Sequence, residues 1–126
     1  MVLCHHVLEH LRDPLGTVCE LKIALSPGGR LILYVPLETG RRYRRCRRDD
    51  PNRHLYSWNC QSLANLVAAA GLNPASVRAR PYGYEQRLAP VAKLGIPTYR
   101  AAMVLARLLV PCNEVELVAK AGRPET

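Results

Sequence analysis

The most constraining feature of this sequence is a helix marked at both ends and running directly into an apolar strand. Asp13-Pro14 supplies a helix N-cap followed by proline at the first helical position, and Leu15, Val18, Cys19, Leu21, Ala24 and Leu25 supply an apolar face, which predicts a helix over residues 14 to 25. Ser26-Pro27-Gly28-Gly29 stops that helix, because proline cannot continue it and glycine takes left-handed backbone angles without steric cost. Residues 30 to 36, Arg-Leu-Ile-Leu-Tyr-Val-Pro, are apolar on both faces and rich in branched side chains, the pattern of a strand covered on both sides in a parallel sheet. With a shorter apolar run over residues 2 to 8 predicting a strand at 2 to 6, the order strand, helix, turn, strand is a right-handed crossover unit.

The remaining elements follow from the same signals. Asn59 can cap a helix whose Leu63, Leu66, Val67 and Ala70 recur at helical spacing and which Gly71 ends, predicting a helix over 60 to 70. Val77 and Ala79 alternate weakly as a strand over 76 to 80, and the alternation that begins at Asn113 predicts a final strand over 113 to 120 near the sheet edge. Between them, residues 98 to 110 read as an amphipathic helix bounded by Pro97 and Pro111, with Arg100 and Arg107 seven apart on one face. This helix has the place of an insertion, and three roles are open: a lid over a substrate, packing on the sheet, or resting on an anionic membrane surface. Its few charges and short length weigh against the last.

A chain of 126 residues is enough for one domain. No stretch approaches the ~20 apolar residues of a membrane span, so no span is expected. The N-terminus has neither a basic leader nor a small-residue cleavage site, so no secretion signal is expected. The five cysteines are widely spaced without a Cys-x-x-Cys pair, which argues against a disulfide framework or a zinc knuckle and points to the reducing cytoplasm. The net charge of +8 is concentrated: seven arginines between residues 41 and 53, against Asp49 and Asp50, give a local +5 and leave +3 elsewhere. The basicity therefore belongs to one loop-like stretch, read either as a solvated surface or as a contact for a phosphate-bearing partner. Only Tyr43 interleaves as a stacking aromatic, so nucleic acid is not the expected partner.

Three blocks then carry a resemblance. His6-Val-Leu-Glu-His-Leu-Arg-Asp-Pro14, Leu25-Ser-Pro-Gly-Gly-Arg-Leu-Ile-Leu-Tyr-Val-Pro36, and His54-Leu-Tyr-Ser-Trp58 with Ala70-Gly71-Leu72 resemble, in this order, the later part of the class I S-adenosylmethionine-dependent methyltransferases. The resemblance implies an α/β fold, a partial Rossmann-like methyltransferase sheet made of strands four to seven of the family fold with flanking helices. It is read as a single truncated domain over 1 to 126 with an arginine-rich loop at 40 to 53 and a helical insertion at 87 to 111. The family's glycine-rich loop and ribose-binding acid are expected upstream of Met1, so a C-terminal portion is expected, from a gene fragment or a miscalled start. Otherwise a partner chain would cover the unpaired apolar edge along residues 2 to 8. Pro27-Gly28-Gly29 is no substitute for the missing loop, because it joins a helix to a strand and not a strand to a helix.

The function implied is methyl transfer from S-adenosylmethionine to an unidentified small-molecule acceptor. Cys4, His5 and His6 are the candidates for the cofactor side, with burial of Cys4 and packing by His5 as the plainer reading. His6 and His54 are candidate bases, since methylating a hydroxyl or amine requires removal of a proton. His6, Glu9, His10 and His54 also resemble the divalent-metal site of the small-RNA 3′-terminal 2′-O-methyltransferases, with His6 in place of that site's first glutamate. Helical spacing would place His6, Glu9 and His10 on one face, although Leu-Glu-His and His-Leu-Tyr also occur in relatives without a metal. The competing function is a noncatalytic methyltransferase-like module that binds an anionic partner through its arginine-rich loop.

Overall fold

Asp13 caps the first helix as its sequence requires: its side chain accepts from the Gly16 amide at 2.8 Å, and helix α1 runs Pro14–Ile23. The computed structural model describes residues 1–38, 46 and 48–121. Arg41, Arg42, Tyr43, Arg44, Arg45 and Arg47 of the basic stretch lie outside the described residues. Strand β1 (Val2–His5) precedes α1, and strand β2 (Arg30–Pro36) follows the turn in which the Gly29 amide donates to the Ser26 carbonyl at 2.7 Å. Helix α2 (Cys60–Ala69) starts at a reciprocal capping box between Asn59 and Ser62, and Gly71 leaves it at φ 73°, where a side chain would be strained. Strand β3 (Leu72–Arg80), the short helix α3 (Tyr84–Leu88), a 3₁₀ segment (Ala89–Leu94), helix α4 (Ile96–Leu109) and strand β4 (Glu114–Ala121) complete the chain.

The four strands form one sheet in the order β1-β2-β4-β3. β1 and β2 are parallel, as the crossover unit requires, while β4 runs antiparallel to both β2 and β3. The final strand is therefore interior and not near an edge. Its alternating sequence suggested a half-exposed strand, yet Glu114, Val115, Glu116 and Leu117 are all buried. β3 begins upstream of its predicted start, and a register shift between Pro74 and Ser76 absorbs the proline, which has no amide hydrogen for the ladder.

One face of the sheet holds the core. Leu31, Leu33 and Val35 of β2 align with Ala119, Leu117 and Val115 of β4, and all six are sealed from solvent together with Val18 of α1 and Leu63 and Val67 of α2. Lys22 ties the two helices by donating from Nζ to the Ala70 carbonyl at 3.1 Å. The other face differs from the two-sided burial expected of β2, because Ile32 and Tyr34 are only half-buried. β1 stands at the end of the sheet, with Leu3 exposed and no strand on its outer side among the described residues.

Leu33 pairs with Cys4 on one side and Leu117 on the other, so truncating it opens a cavity where the parallel and antiparallel ladders meet. Leu33→Ala is expected to lower stability by about 2–5 kcal/mol, read as a fall in the urea midpoint with an unchanged slope.

Candidate functional site

The candidate residues gather where β1 ends. His5 is the last strand residue, and His6 turns out of the strand at φ 51°, a left-handed conformation that an L-residue adopts at a cost. Its amide still donates to the Tyr34 carbonyl at 2.9 Å, which ties the turn to β2. The turn brings two consecutive imidazoles to the same side, stacked with centroids 4.2 Å apart, although successive strand residues normally point to opposite faces. Both rings reach one acceptor: His6 Nε2 lies 3.0 Å and His5 Nε2 3.2 Å from Glu114 Oε1.

Glu114 is fully buried at the start of β4, and its other oxygen faces Arg80 Nε at 3.0 Å in an ion pair. Burial raises its carboxyl above the usual range, against the opposing pull of Arg80 and His5. Burial likewise lowers His6, with the His5, His54 and His10 imidazoles opposing another positive charge, to about 4. His6 is thus neutral near pH 7.

Beyond His6 the chain forms a single 3₁₀ turn, Leu8–His10, and not an α-helix. The helical spacing that would converge His6, Glu9 and His10 is therefore absent. The structure instead forms two groups of ligand-capable atoms, each within 4.8 Å: His5, His6 and Glu114 in one, and Glu9, His10 and His54 in the other. Glu9 is 1% exposed and neither carboxylate oxygen has a hydrogen-bond partner; His10 Nε2 lies 3.8 Å from its Oε1. Leaving a buried carboxylate unpartnered costs several kcal/mol unless a cation or a donor meets it. Among the described residues it is the strongest unmet demand of the fold.

His54 comes to this place through the backbone. The Glu9 carbonyl accepts from the Leu55 amide at 2.7 Å and from the Tyr56 amide at 3.3 Å, and the Tyr56 hydroxyl donates to the Arg12 carbonyl at 3.0 Å. His54 and His10 meet edge to face at 4.9 Å. Glu38, just past β2, takes His54 Nδ1 at 2.5 Å through one oxygen and the Ser57 hydroxyl at 2.7 Å through the other. That pairing fixes the ring and leaves its second nitrogen for a ligand or a proton, the carboxylate–histidine arrangement of many metal and acid–base sites.

A pocket of about 460 Å³ opens among these groups, lined by His6, Glu9, His10, Glu38, His54 and Tyr82, with Asn113 at its rim. It lies at the carboxyl ends of the two parallel strands, where open α/β sheets bind ligands. Cys4 does not reach it: the thiol sits in the core, raised above its usual range by burial and by the Glu9 carboxylate. Glu38, Glu114 and Tyr82 are site residues that sequence reasoning missed. Glu38 had a signal in its position just beyond a strand's carboxyl end, whereas Glu114 reads in sequence as an ordinary exposed residue of an alternating strand.

The profile of a family described as a methyltransferase domain matches residues 1–77. No protein of curated function matches the chain in sequence. Among solved structures the chain is similar to the [4+2]-cyclase SpnF, with TM-score 0.59 and 15% identity over 96% of this chain and 50% of that one. It is also similar to Haemonchus contortus phosphoethanolamine N-methyltransferase 2 in complex with phosphomonomethylethanolamine and S-adenosylhomocysteine, with TM-score 0.60 and 13% identity over 98% of this chain and 33% of that one. A second structure of that enzyme, with S-adenosyl-L-methionine, matches equally at TM-score 0.60. The chain thus spans between a third and a half of the length of these structures, and the likeness establishes a shared α/β, partial Rossmann-like fold.

The lowered His6 makes a pH signature. Because its folded value of about 4 lies below the ordinary 6.5, the unfolded chain takes up the proton first, so this group's contribution to stability is complete above 6.5 and is lost as pH falls toward 4. In His6→Asn, which keeps a residue tolerant of left-handed angles, melting temperature is expected to fall less between pH 7 and pH 4.5 than in the unsubstituted protein. Equal falls in both proteins would show that His6 is not held neutral.

Proposed function

The chain belongs to the methyltransferase-domain family, and on that premise we propose that it takes part in S-adenosylmethionine-dependent methylation of a hydroxyl or amine on a small-molecule acceptor. The observation that carries the proposal is the convergence of Glu9, His10 and His54 on one pocket at the carboxyl ends of β1 and β2. The cofactor, when bound, supplies an electrophilic methyl on a sulfonium. His5 and His6, at the end of β1, border its methionine end in this reading; the described residues assign no group to its ribose or adenine. The five free cysteines suit a cytoplasmic setting.

His54 is the better of the two candidate bases. A histidine held near 4, as His6 is, accepts a proton too weakly to assist a hydroxyl near neutrality. His54 is oriented by Glu38, which also stabilises the imidazolium that proton uptake creates. His6 instead, neutral near pH 7, adds no positive charge beside the place where the cationic cofactor would lie. The acceptor is held by the pocket, so catalysis is chiefly positioning.

A second reading rests on the unpartnered Glu9 carboxylate. Glu9, His10 and the free nitrogen of His54 fit a divalent cation, which would polarise an acceptor oxygen; His6, engaged with Glu114, falls outside that ligand set. The mixed nitrogen and oxygen donors favour a transition metal over magnesium.

Incubating the protein with methyl-tritiated S-adenosylmethionine and a pool of small metabolites is expected to label a small molecule. His54→Ala should lower kcat by about 10²–10⁴-fold and Glu38→Gln by part of that, with S-adenosylhomocysteine affinity unchanged. Absence of both label transfer and S-adenosylhomocysteine binding would sink the methyltransferase reading. Loss of transfer with EDTA and recovery with Mn²⁺ or Zn²⁺ would favour the metal reading over the base.

A further inference from the structure

Helix α4 buries none of its residues, which is unusual for fourteen ordered residues of which most are apolar. Tyr99, Ala102, Met103 and Ala106 turn toward α3 and the 3₁₀ segment and are half-buried. The opposite arc carries Val104, Leu105, Leu108 and Leu109, and Leu94 and Ile96 stand at its start; all six are between 56 and 78% exposed. At 100° per residue the first four span one continuous stripe, and Arg100 and Arg107 fall together on the border between that stripe and the half-buried side.

We propose that this face of α4 docks the protein onto an anionic lipid bilayer. No helix among the described residues is long and apolar enough to cross a membrane, so the contact is peripheral. In sequence the short length and few charges of this helix weigh against a membrane contact; the exposure of its whole leucine stripe reverses that, and the charge pattern selects the occupant. Between Glu85 and Glu114 the sequence holds four basic residues, Arg87, Lys93, Arg100 and Arg107, and no acidic one. Two copies meeting through this stripe would bring arginines together with no carboxylate on either helix to pair them. The stripe itself also lacks the directional polar side chains that a specific protein interface uses around its apolar centre. An interfacial helix suits the observed combination: leucines entering the acyl boundary and Arg100 at the border, its stem apolar and its guanidinium at the phosphates, with Arg107 beside it donating from Nε to the Tyr84 hydroxyl at 3.2 Å.

Beneath α4 lies a cavity of about 310 Å³ lined by Leu88, Ala106, Val110 and Pro111 together with Tyr82 and Asn113. The last two also line the pocket of Glu9 and His54, so an apolar space next to the docked helix adjoins the polar one. The docking itself rests on α4 alone and is independent of methyl transfer.

The test is co-sedimentation of the protein with phosphatidylcholine vesicles prepared with and without phosphatidylglycerol. Binding is expected to the anionic vesicles and to weaken with added salt. Arg100→Glu should lower the partition coefficient about tenfold or more, since each basic residue at such a surface contributes about a factor of five. Leu105→Asp with Leu108→Asp should abolish binding, whereas Ile23→Asp, at an 84% exposed position on α1, should leave it unchanged. If circular dichroism shows the double variant to be unfolded, Arg100→Glu decides. Equal recovery with neutral and anionic vesicles, insensitivity to these α4 changes, or a concentration-dependent dimer that Leu105→Asp dissociates would each overturn the proposal.

Discussion

The antiparallel insertion of β4 between β2 and β3 is the interaction on which the rest of the structure depends. Seven residue pairs, from Arg30 with Lys120 to Pro36 with Glu114, lock the last strand against the first crossover unit. The ladder completes the apolar layer under α1 and α2 and carries Glu114 to the end of β1, beside a histidine 108 residues away in sequence. Without it β2 would present an open edge, and Arg80 would have neither Glu114 nor Glu116 beside it.

The buried charge introduced by Glu114 in turn organises the histidines. One carboxylate oxygen faces two imidazoles and the other faces an arginine, so the cluster is held by attraction that partly offsets the cost of burial. To reach it, His6 adopts a left-handed backbone, and that single turn separates it from Glu9 and His10. The result is two neighbouring groups of different character. One is ion-paired internally around Glu114; the other leaves Glu9 unmatched and His54 oriented by Glu38. A site with unmet polar demand beside a site already ion-paired is the arrangement expected where a ligand completes the structure.

On the far side of the pocket the chain spends its apolar residues differently. The segment between β3 and β4 places the leucines of α4 outward and turns Tyr99, Ala102, Met103 and Ala106 inward. Helix α4 packs against α3 and the 3₁₀ segment more than against the sheet, while the reciprocal bonds between Tyr82 and Asn113 at 2.6 and 3.0 Å join the two ends of the excursion. The excursion is thereby fastened at the pocket rim, and its outer surface remains available.

Local signals in the sequence determined the elements themselves. Asp13-Pro14, Pro27-Gly28-Gly29, and Asn59 with Gly71 set where α1, β2 and α2 begin or end, because caps and turns are decided by neighbouring backbone groups. The ordered blocks that resemble methyltransferases were legible for the same reason. Tertiary structure alone decided the interior place of β4, the burial of Glu114 and Glu116, the core position of Cys4, and the pairing of Glu38 with His54 sixteen residues away. These rest on which strand lies beside which, a matter of long-range burial that alternation and spacing within one segment do not encode. The division of His6 from Glu9 and His10 belongs with them, since its cause, a carboxylate 108 residues away, is distant in sequence and adjacent only in the fold.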